Sequence, residues 1–229
     1  MRRLFSFVLI LCALYTVQAQ EWVAGTTVTP EQIAEQGVDS FFDSEPISDA
    51  IFERMQGKSY KADCTIPRSE LRYIKALHIT REGVTKRGEM VVNSAISGDI
   101  VAILKQLYKA GYPIERMELV DNYGADDNRS MAANNSSAFN YRTTPGGTRL
   151  SAHSRGMAVD INPLYNPYIR RTESRTIIAP KEGSDFVDRS KKFAYKIERN
   201  DLCCRLFLER GFEWGGDYKT IKDYQHFEK

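Results

Sequence analysis

The sequence predicts an α+β protein, a small antiparallel sheet with flanking helices. Three observations carry that prediction. Leu71–Ile79 (LRYIKALHI) and Glu89–Val92 (EMVV) place β-type residues in rough alternation on either side of Thr80-Arg81-Glu82-Gly83, the pattern of a hairpin. Ile96, Ile100, Ile103, Leu104, Leu107 and Tyr108 recur at spacings of three and four, which is one face of an amphipathic helix. Helices and short strands then follow one another without the regular β-α-β units that build a parallel sheet.

Taken in order, residues 20–45 are rich in Thr, Gln, Glu, Asp and Ser with scattered aromatics, and read as an irregular lead-in. Glu45-Pro46, then Ser48, Ile51, Phe52 and Met55, predict a short helix ending at Gly57. His78 falls within the first strand of the hairpin, where a histidine packs or faces solvent, and it is given no catalytic role. Gly111 and Pro113 stop the long helix, and a strand over Met117–Val120 leads into Asp121. Residues 121–149 are crowded with Asn, Asp, Ser, Gly and Thr and show little periodicity. They read as a long loop, either functional or a solvated excursion. Alternation over Met157–Ile161 predicts a strand, and a second helix is expected from about Asn200 to Arg210, stopped by Gly211. No internal repeat or low-complexity tract is present.

The chain has 229 residues, 42% of them hydrophobic and 27% charged, with a formal charge of +2. That composition excludes a disordered, collagen-like or membrane-embedded chain, and it lacks the basic excess of a nucleic-acid binder. Met1-Arg2-Arg3 precedes an apolar run, Leu4–Val17, and small residues close with Ala19, the layout of a signal peptide cleaved after residue 19. The run is shorter than the ~20 residues a spanning helix needs, so no stable membrane insertion is expected after cleavage. Cys12 lies inside the run, away from its end, which argues against lipid attachment. Export places the protein in the periplasm, cell envelope or medium. Without residues 1–19 the chain carries 30 basic and 30 acidic groups on 210 residues, and three cysteines. Cys64 can bridge to Cys203 or Cys204, or all three can remain thiols.

With only three histidines, at 78, 153 and 226, histidine chemistry has few places to reside. Ser151-Ala-His-Ser-Arg-Gly-Met-Ala-Val-Asp160 ends in a strand that turns Asp160 away from Met157, Val159 and Ile161. Gly156 lets the backbone bring His153 and Asp160 together. Asp223-Tyr-Gln-His-Phe-Glu228 holds the other imidazole; in a strand, His226 and Glu228 share a face and Phe227 packs on the other. Two imidazoles and a carboxylate suit zinc and leave one position for water. Asp223, three residues before His226, is the candidate general base and acid, provided that the chain bends over 223–225. On spacing alone, a metal site and a hydrogen-bonded His–Asp pair in a core both remain open.

The pattern S-x-H-x-x-G-x-A-x-D with a late D-x-x-H resembles the zinc peptidases of the D-alanyl-D-alanine carboxypeptidase and L-alanyl-D-glutamate endopeptidase family. The resemblance extends from about Gly57 to the C-terminus through GEMVVN (88–93), YPIERMELVDNYGADD (112–127), SSAFNYR (136–142), INPLYNPY (161–168) and GFEWGGD (211–217). It implies the hedgehog/DD-peptidase fold over residues 57–229, behind a lead-in at 20–56. It also implies one Zn2+ on His153, Asp160 and His226, Asp223 as acid/base, and peptidoglycan stem peptides as substrate. An aspartate at 223 looks more like the endopeptidase branch than the E-x-x-H of the carboxypeptidases. Arg142 is expected to face substrate, pairing with a carboxylate or steadying an oxyanion. Ser137, Ser151, Glu228 and Trp214 are expected to support ligands or substrate. A binding module that keeps the metal without turnover, and a zinc-free envelope protein with a structural His–Asp pair, are the competing readings.

Overall fold

In the computed structural model, which describes residues 21–144 and 148–229, the hairpin that turns at Gly83 forms the centre. The expected export signal, with Cys12, lies outside the described residues. The lead-in is more regular than its composition suggests. Thr29 Oγ1 accepts from Gln32 N, and the Gln32 side chain accepts from Thr29 N, a capping box that starts α1 (Pro30–Gln36). β1 (Asp43–Pro46) and α2 (Asp49–Met55) follow, the latter capped by Ser48, whose Oγ accepts from Ile51 N. β1 then joins the edge of β2 (Leu71–Ile79), and β2 pairs antiparallel with β3 (Thr85–Asn93) from Leu71↔Asn93 to Ile79↔Thr85. β3 is longer than the Glu89–Val92 segment its apolar residues mark, because the polar residues 85–88 also pair.

Both faces of this sheet are covered. Asn93 caps α3 (Ser94–Lys109), whose Ile96, Ile100, Ile103, Leu104 and Leu107 are buried with Ile74, Ala76, Met90 and Val92 of the sheet. On the other face, Leu71, Tyr73 and Val91 pack with Ile47, Met55, Leu119, Phe139 and Tyr141. Glu89 also points to this second face, where only 1% of its side chain is exposed. Arg54 of α2 donates to it from Nη1 at 2.9 Å, and the Tyr73 hydroxyl donates as well. A carboxylate so deeply buried requires such partners, and together they dock α2 on the sheet.

The expected strand at Met117–Val120 shrinks to β4 (Arg116–Met117), followed by a 3-10 turn at Val120–Tyr123. The Asn135 side chain accounts for the difference. It accepts from Glu118 N at 2.8 Å and donates to Glu118 O at 3.0 Å, occupying the groups a longer strand would pair. The expected loop at 121–149 likewise contains α4 (Asp127–Ala132), capped by Asp126, and β5 (Asn135–Ser136), parallel to β4. Asn and Asp supply its caps and side-chain bridges in place of an apolar period.

Beyond residue 148 the chain forms two small sheets. β6 (Ala158–Asp160) lies in one; β7 (Tyr168–Arg171) and β8 (Thr176–Ala179) lie in the other. After α5 (Leu202–Glu209), β9 (Glu213–Trp214), β10 (Lys222–Asp223) and β11 (His226–Glu228) complete them in the orders β6–β11–β9 and β10–β7–β8. Cys203 and Cys204 are buried in the core beside α3, Cys64 packs in the cluster on the opposite face, and all three are free thiols. Among the described residues no helix is long and apolar enough to cross a membrane.

Phe227 joins these parts. It is fully buried and stacks on Phe207 of α5 with ring centroids 4.1 Å apart. Truncation to Phe227→Ala is expected to cost ~3–5 kcal/mol, the usual range for a large aromatic deleted from a core. Urea denaturation of the metal-free protein measures this, and an unchanged midpoint would show that the stack holds nothing together.

Candidate metal centre

Each side chain of the centre is placed by a different local device. Ser151 opens a 3-10 turn over Ala152–Arg155 by accepting from His153 N at 3.3 Å, so its part is to hold the backbone that carries His153. Gly156 ends the turn at φ +66. A Cβ there would lie 2.6 Å from Asn93 N, which donates to Gly156 O at 2.8 Å. Only glycine meets both conditions, the left-handed backbone and the close approach. Asn93 Nδ2 adds a bond to Arg155 O at 3.1 Å, so the turn is moored to the last residue of β3.

Asp160 and His226 are cross-strand partners in the β6–β11 pair. Ile161 N donates to Gln225 O, which makes Asp160–His226 a non-hydrogen-bonded pair, the arrangement that brings facing side chains closest. Ser137 braces β6 from its other edge through two backbone bonds with Asp160, of 3.1 and 2.9 Å. The expected bend at 223–225 is present, since Tyr224 and Gln225 form the turn between β10 and β11.

His153 Nε2 lies 3.3 Å from Asp160 Oδ2 and 3.2 Å from His226 Nδ1, and His226 Nδ1 lies 3.0 Å from Asp160 Oδ1. Ligands held tetrahedrally at about 2.0–2.1 Å from one ion stand about 3.3 Å apart, so the donor set fits a metal of that size. Among the described residues this is the group of histidine, cysteine and acidic side chains whose donor atoms fall together, all within 4.8 Å of one another. His153 Nδ1 is tied to Ala138 O at 2.6 Å, which leaves the Nε2 lone pair facing the centre. Glu228 Oε2 lies 3.6 Å from His226 Nε2 and favours a proton there, leaving Nδ1 for a metal.

The charges reinforce one another. Burial alone would raise the Asp160 pKa, but the charge of His153 and hydrogen bonds to both imidazoles hold it well below the carboxylate range. Burial alone would lower His226, yet its contacts with Asp160 and Glu228 and the charge of Asp223 push it up to about 10. The interaction with His226 takes Glu228 down to about 2. Asp223 moves the other way: burial, opposed by His226 and helped by the charge of Asp160, pushes its carboxyl up to about 6. Its Oδ1 is buried with no hydrogen-bond partner. An ionised, ligand-type carboxylate thus stands near one that holds its proton more tightly.

The remaining expected residues fall at different distances from the chemistry. Arg142 is ion-paired with Asp127, whose Oδ1 also accepts from Asn140 Nδ2 at 2.8 Å. Its backbone is bound to the His153 turn, with Arg142 N donating to Ser154 Oγ at 2.8 Å. Trp214 does not front the site. It is 5% exposed in the core and donates from Nε1 to Tyr224 O at 3.0 Å, so its part is packing. Asn162 and Asn166 of INPLYNPY act as scaffold. Asn162 bonds Pro113 O and Glu115 N, and Asn166 bonds Tyr195 O and Ile197 N. Sequence reasoning missed Tyr218, whose OH donates to Glu228 Oε1 at 2.6 Å, because nothing in the spacing links the two residues. His78 is buried, with Nδ1 on Ile114 O at 2.8 Å, and takes no part.

Residues 145–229 match a peptidase family model described as D-alanyl-D-alanine carboxypeptidase, and this segment holds the three donor residues and Asp223. The match bears out the family resemblance over the segment that carries the S-x-H-x-x-G-x-A-x-D and D-x-x-H motifs, and the motifs between 88 and 142 lie outside it. No curated protein matches the chain, and no solved structure does.

In the metal-free protein His226 carries a second proton, at Nδ1, below pH about 10, and a metal bound there must expel it. The apparent affinity for a divalent transition metal is therefore expected to rise with pH, by about tenfold per unit for one displaced proton. Competition with a chromogenic chelator between about pH 6 and 8 measures the slope. A flat profile would mean that no such proton is displaced.

Proposed function

We propose that the chain is an exported zinc metallopeptidase that hydrolyses a peptide bond in peptidoglycan stem peptides, on a hedgehog/DD-peptidase type of scaffold. The observation that carries this reading is the His153–Asp160–His226 donor set, spaced 3.0–3.3 Å apart near Asp223, in a segment that matches a peptidase family. Residues 1–19 would direct export.

His153 through Nε2, Asp160 through its carboxylate and His226 through Nδ1 would hold one Zn2+. When bound, the ion supplies a Lewis acid that polarises the scissile carbonyl and lowers the pKa of water. Asp223 takes the proton of the attacking water as general base and delivers it to the leaving amine as general acid. A carboxyl pushed up to about 6 is ionised at neutral pH and still a competent proton donor afterwards. Arg142 exchanges part of its pairing with Asp127 for a substrate carboxylate or the developing oxyanion. Ser151 and Ser137 keep His153 and Asp160 in place through the backbone.

For the bond cleaved, our reading is L-alanyl-D-glutamate, because residue 223 is aspartate; the description of the matched family favours D-alanyl-D-alanine. Mass spectrometry of products from defined stem peptides separates the two. Cleavage between L-Ala and D-Glu supports the endopeptidase, and release of terminal D-Ala overturns it in favour of the carboxypeptidase. Asp223→Ala is expected to keep one zinc per chain while lowering kcat by ~10²–10⁴-fold, the usual contribution of a positioned acid/base. A wild-type protein that holds zinc but releases no new amine from peptidoglycan would instead be a binding module.

A further inference from the structure

Between β9 and β10 the chain makes a 3-10 turn over Gly215–Asp217 and continues into Tyr218. The middle of the turn is fastened to the strand that carries the proposed acid/base, and the residue before the turn to the residue after that strand. Lys222 Nζ donates to Gly216 O at 2.9 Å, and Trp214 Nε1 donates to Tyr224 O at 3.0 Å. From this position the turn reaches the two parts of the site separately.

We propose that Gly215 and Tyr218 are positioning residues with divided duties: Tyr218, acting through Glu228, orients the metal-ligating ring of His226, and Gly215 sets the position of Asp223. The inference rests on the reading of His153, Asp160 and His226 as metal ligands.

The first duty follows from a chain of polar contacts. Glu228 shares a strand face with His226, and its Oε2 lies 3.6 Å from His226 Nε2. Its side chain is 35% exposed, so without a second anchor it would be free to swing into solvent. Tyr218 supplies that anchor by donating to Oε1 at 2.6 Å. With the carboxylate held, the proton of His226 stays at Nε2 and the lone pair at Nδ1 faces Asp160 and His153. A ligand ring left to turn must be re-ordered at every metal-binding event, which weakens affinity.

The second duty is steric. A Cβ on Gly215 would fall 2.4 Å from Asp223 O and 2.7 Å from Asp223 Cβ. The obstruction is mainly backbone, which cannot rotate aside, so any side chain at 215 pushes β10 away. Asp223 is not tied down through Oδ1, which has no hydrogen-bond partner, and its aim depends on where the strand sits.

Three variants test the division: Tyr218→Phe, Glu228→Gln and Gly215→Ala. Zinc affinity by chelator competition, kcat at saturating zinc, and metal-free stability are measured for each. Tyr218→Phe is expected to weaken zinc binding by ~10–100-fold and to regain most of its kcat when zinc is saturating. Glu228→Gln should do the same, and the double variant should lose little more than either single one, because both act along one path. Gly215→Ala should keep its zinc affinity and lose kcat on the order of 10²-fold at any zinc concentration. Should Gly215→Ala fail to fold, the Tyr218–Glu228 coupling decides the inference alone. Tyr218→Phe that binds zinc as tightly as wild type overturns it. So does a parallel loss of affinity, kcat and metal-free stability, the mark of simple packing. A wild-type chain that takes up no zinc overturns the underlying site reading, an outcome distinct from either.

Discussion

The register of β11 against β6 is the constraint on which the site depends. Side chains alternate along a strand, so a slip of one residue would turn His226 into the apolar core and Phe227 towards Asp160. Phe227 prevents that slip: it is buried to 0% exposure and stacked on Phe207, and that pocket accepts an aromatic ring far more readily than an imidazole with charged neighbours. Core packing therefore chooses the register, and the register puts His226 opposite Asp160. A hydrophobic contact on one face of a three-residue strand sets polar chemistry on the other.

The second support is the mooring of the His153 turn to the central sheet. Asn93 ends β3, caps α3 and bonds the main chain of both Gly156 and Arg155. The long helix, the hairpin and the first imidazole therefore share one residue, and movement of any of them is felt at the centre. The polar groups gathered there are balanced closely. Asp160 and Glu228 are held ionised by the imidazoles, whereas burial, helped by the charge of Asp160, makes Asp223 keep its proton more tightly. In the proposed reading, these differences in environment suit the three carboxylates to three parts: a ligand, a support and a proton carrier.

Much of the scaffold was legible because it rests on local rules. The LRYIKALHI strand, the turn at Gly83 and the amphipathic helix through Leu107 follow from period and punctuation, and the structure has them where the pattern puts them. The failures were polar. Asn135 cuts short the strand expected at Met117–Val120, and an Asn- and Asp-rich stretch read as loop holds a capped helix. Side chains that satisfy backbone groups leave no hydrophobic period, so their partners cannot be read along the chain. The lead-in was obscured for the same reason, since its structure comes from a capping box and from pairing with β2, 26 residues or more away.

The sequence by itself determined the candidate ligands, because with three histidines and one S-x-H-x-x-G-x-A-x-D pattern few metal centres can be written. It also determined the shared face of His226 and Glu228, which strand alternation imposes locally. Only the tertiary structure decided that His153 Nε2, Asp160 and His226 Nδ1 meet within 3.3 Å, that Trp214 packs in the core, and that Tyr218 reaches Glu228. Each of these depends on strand register or on the close approach of distant main chain. Those are set by the packing of the whole core, and no local pattern of residues encodes them.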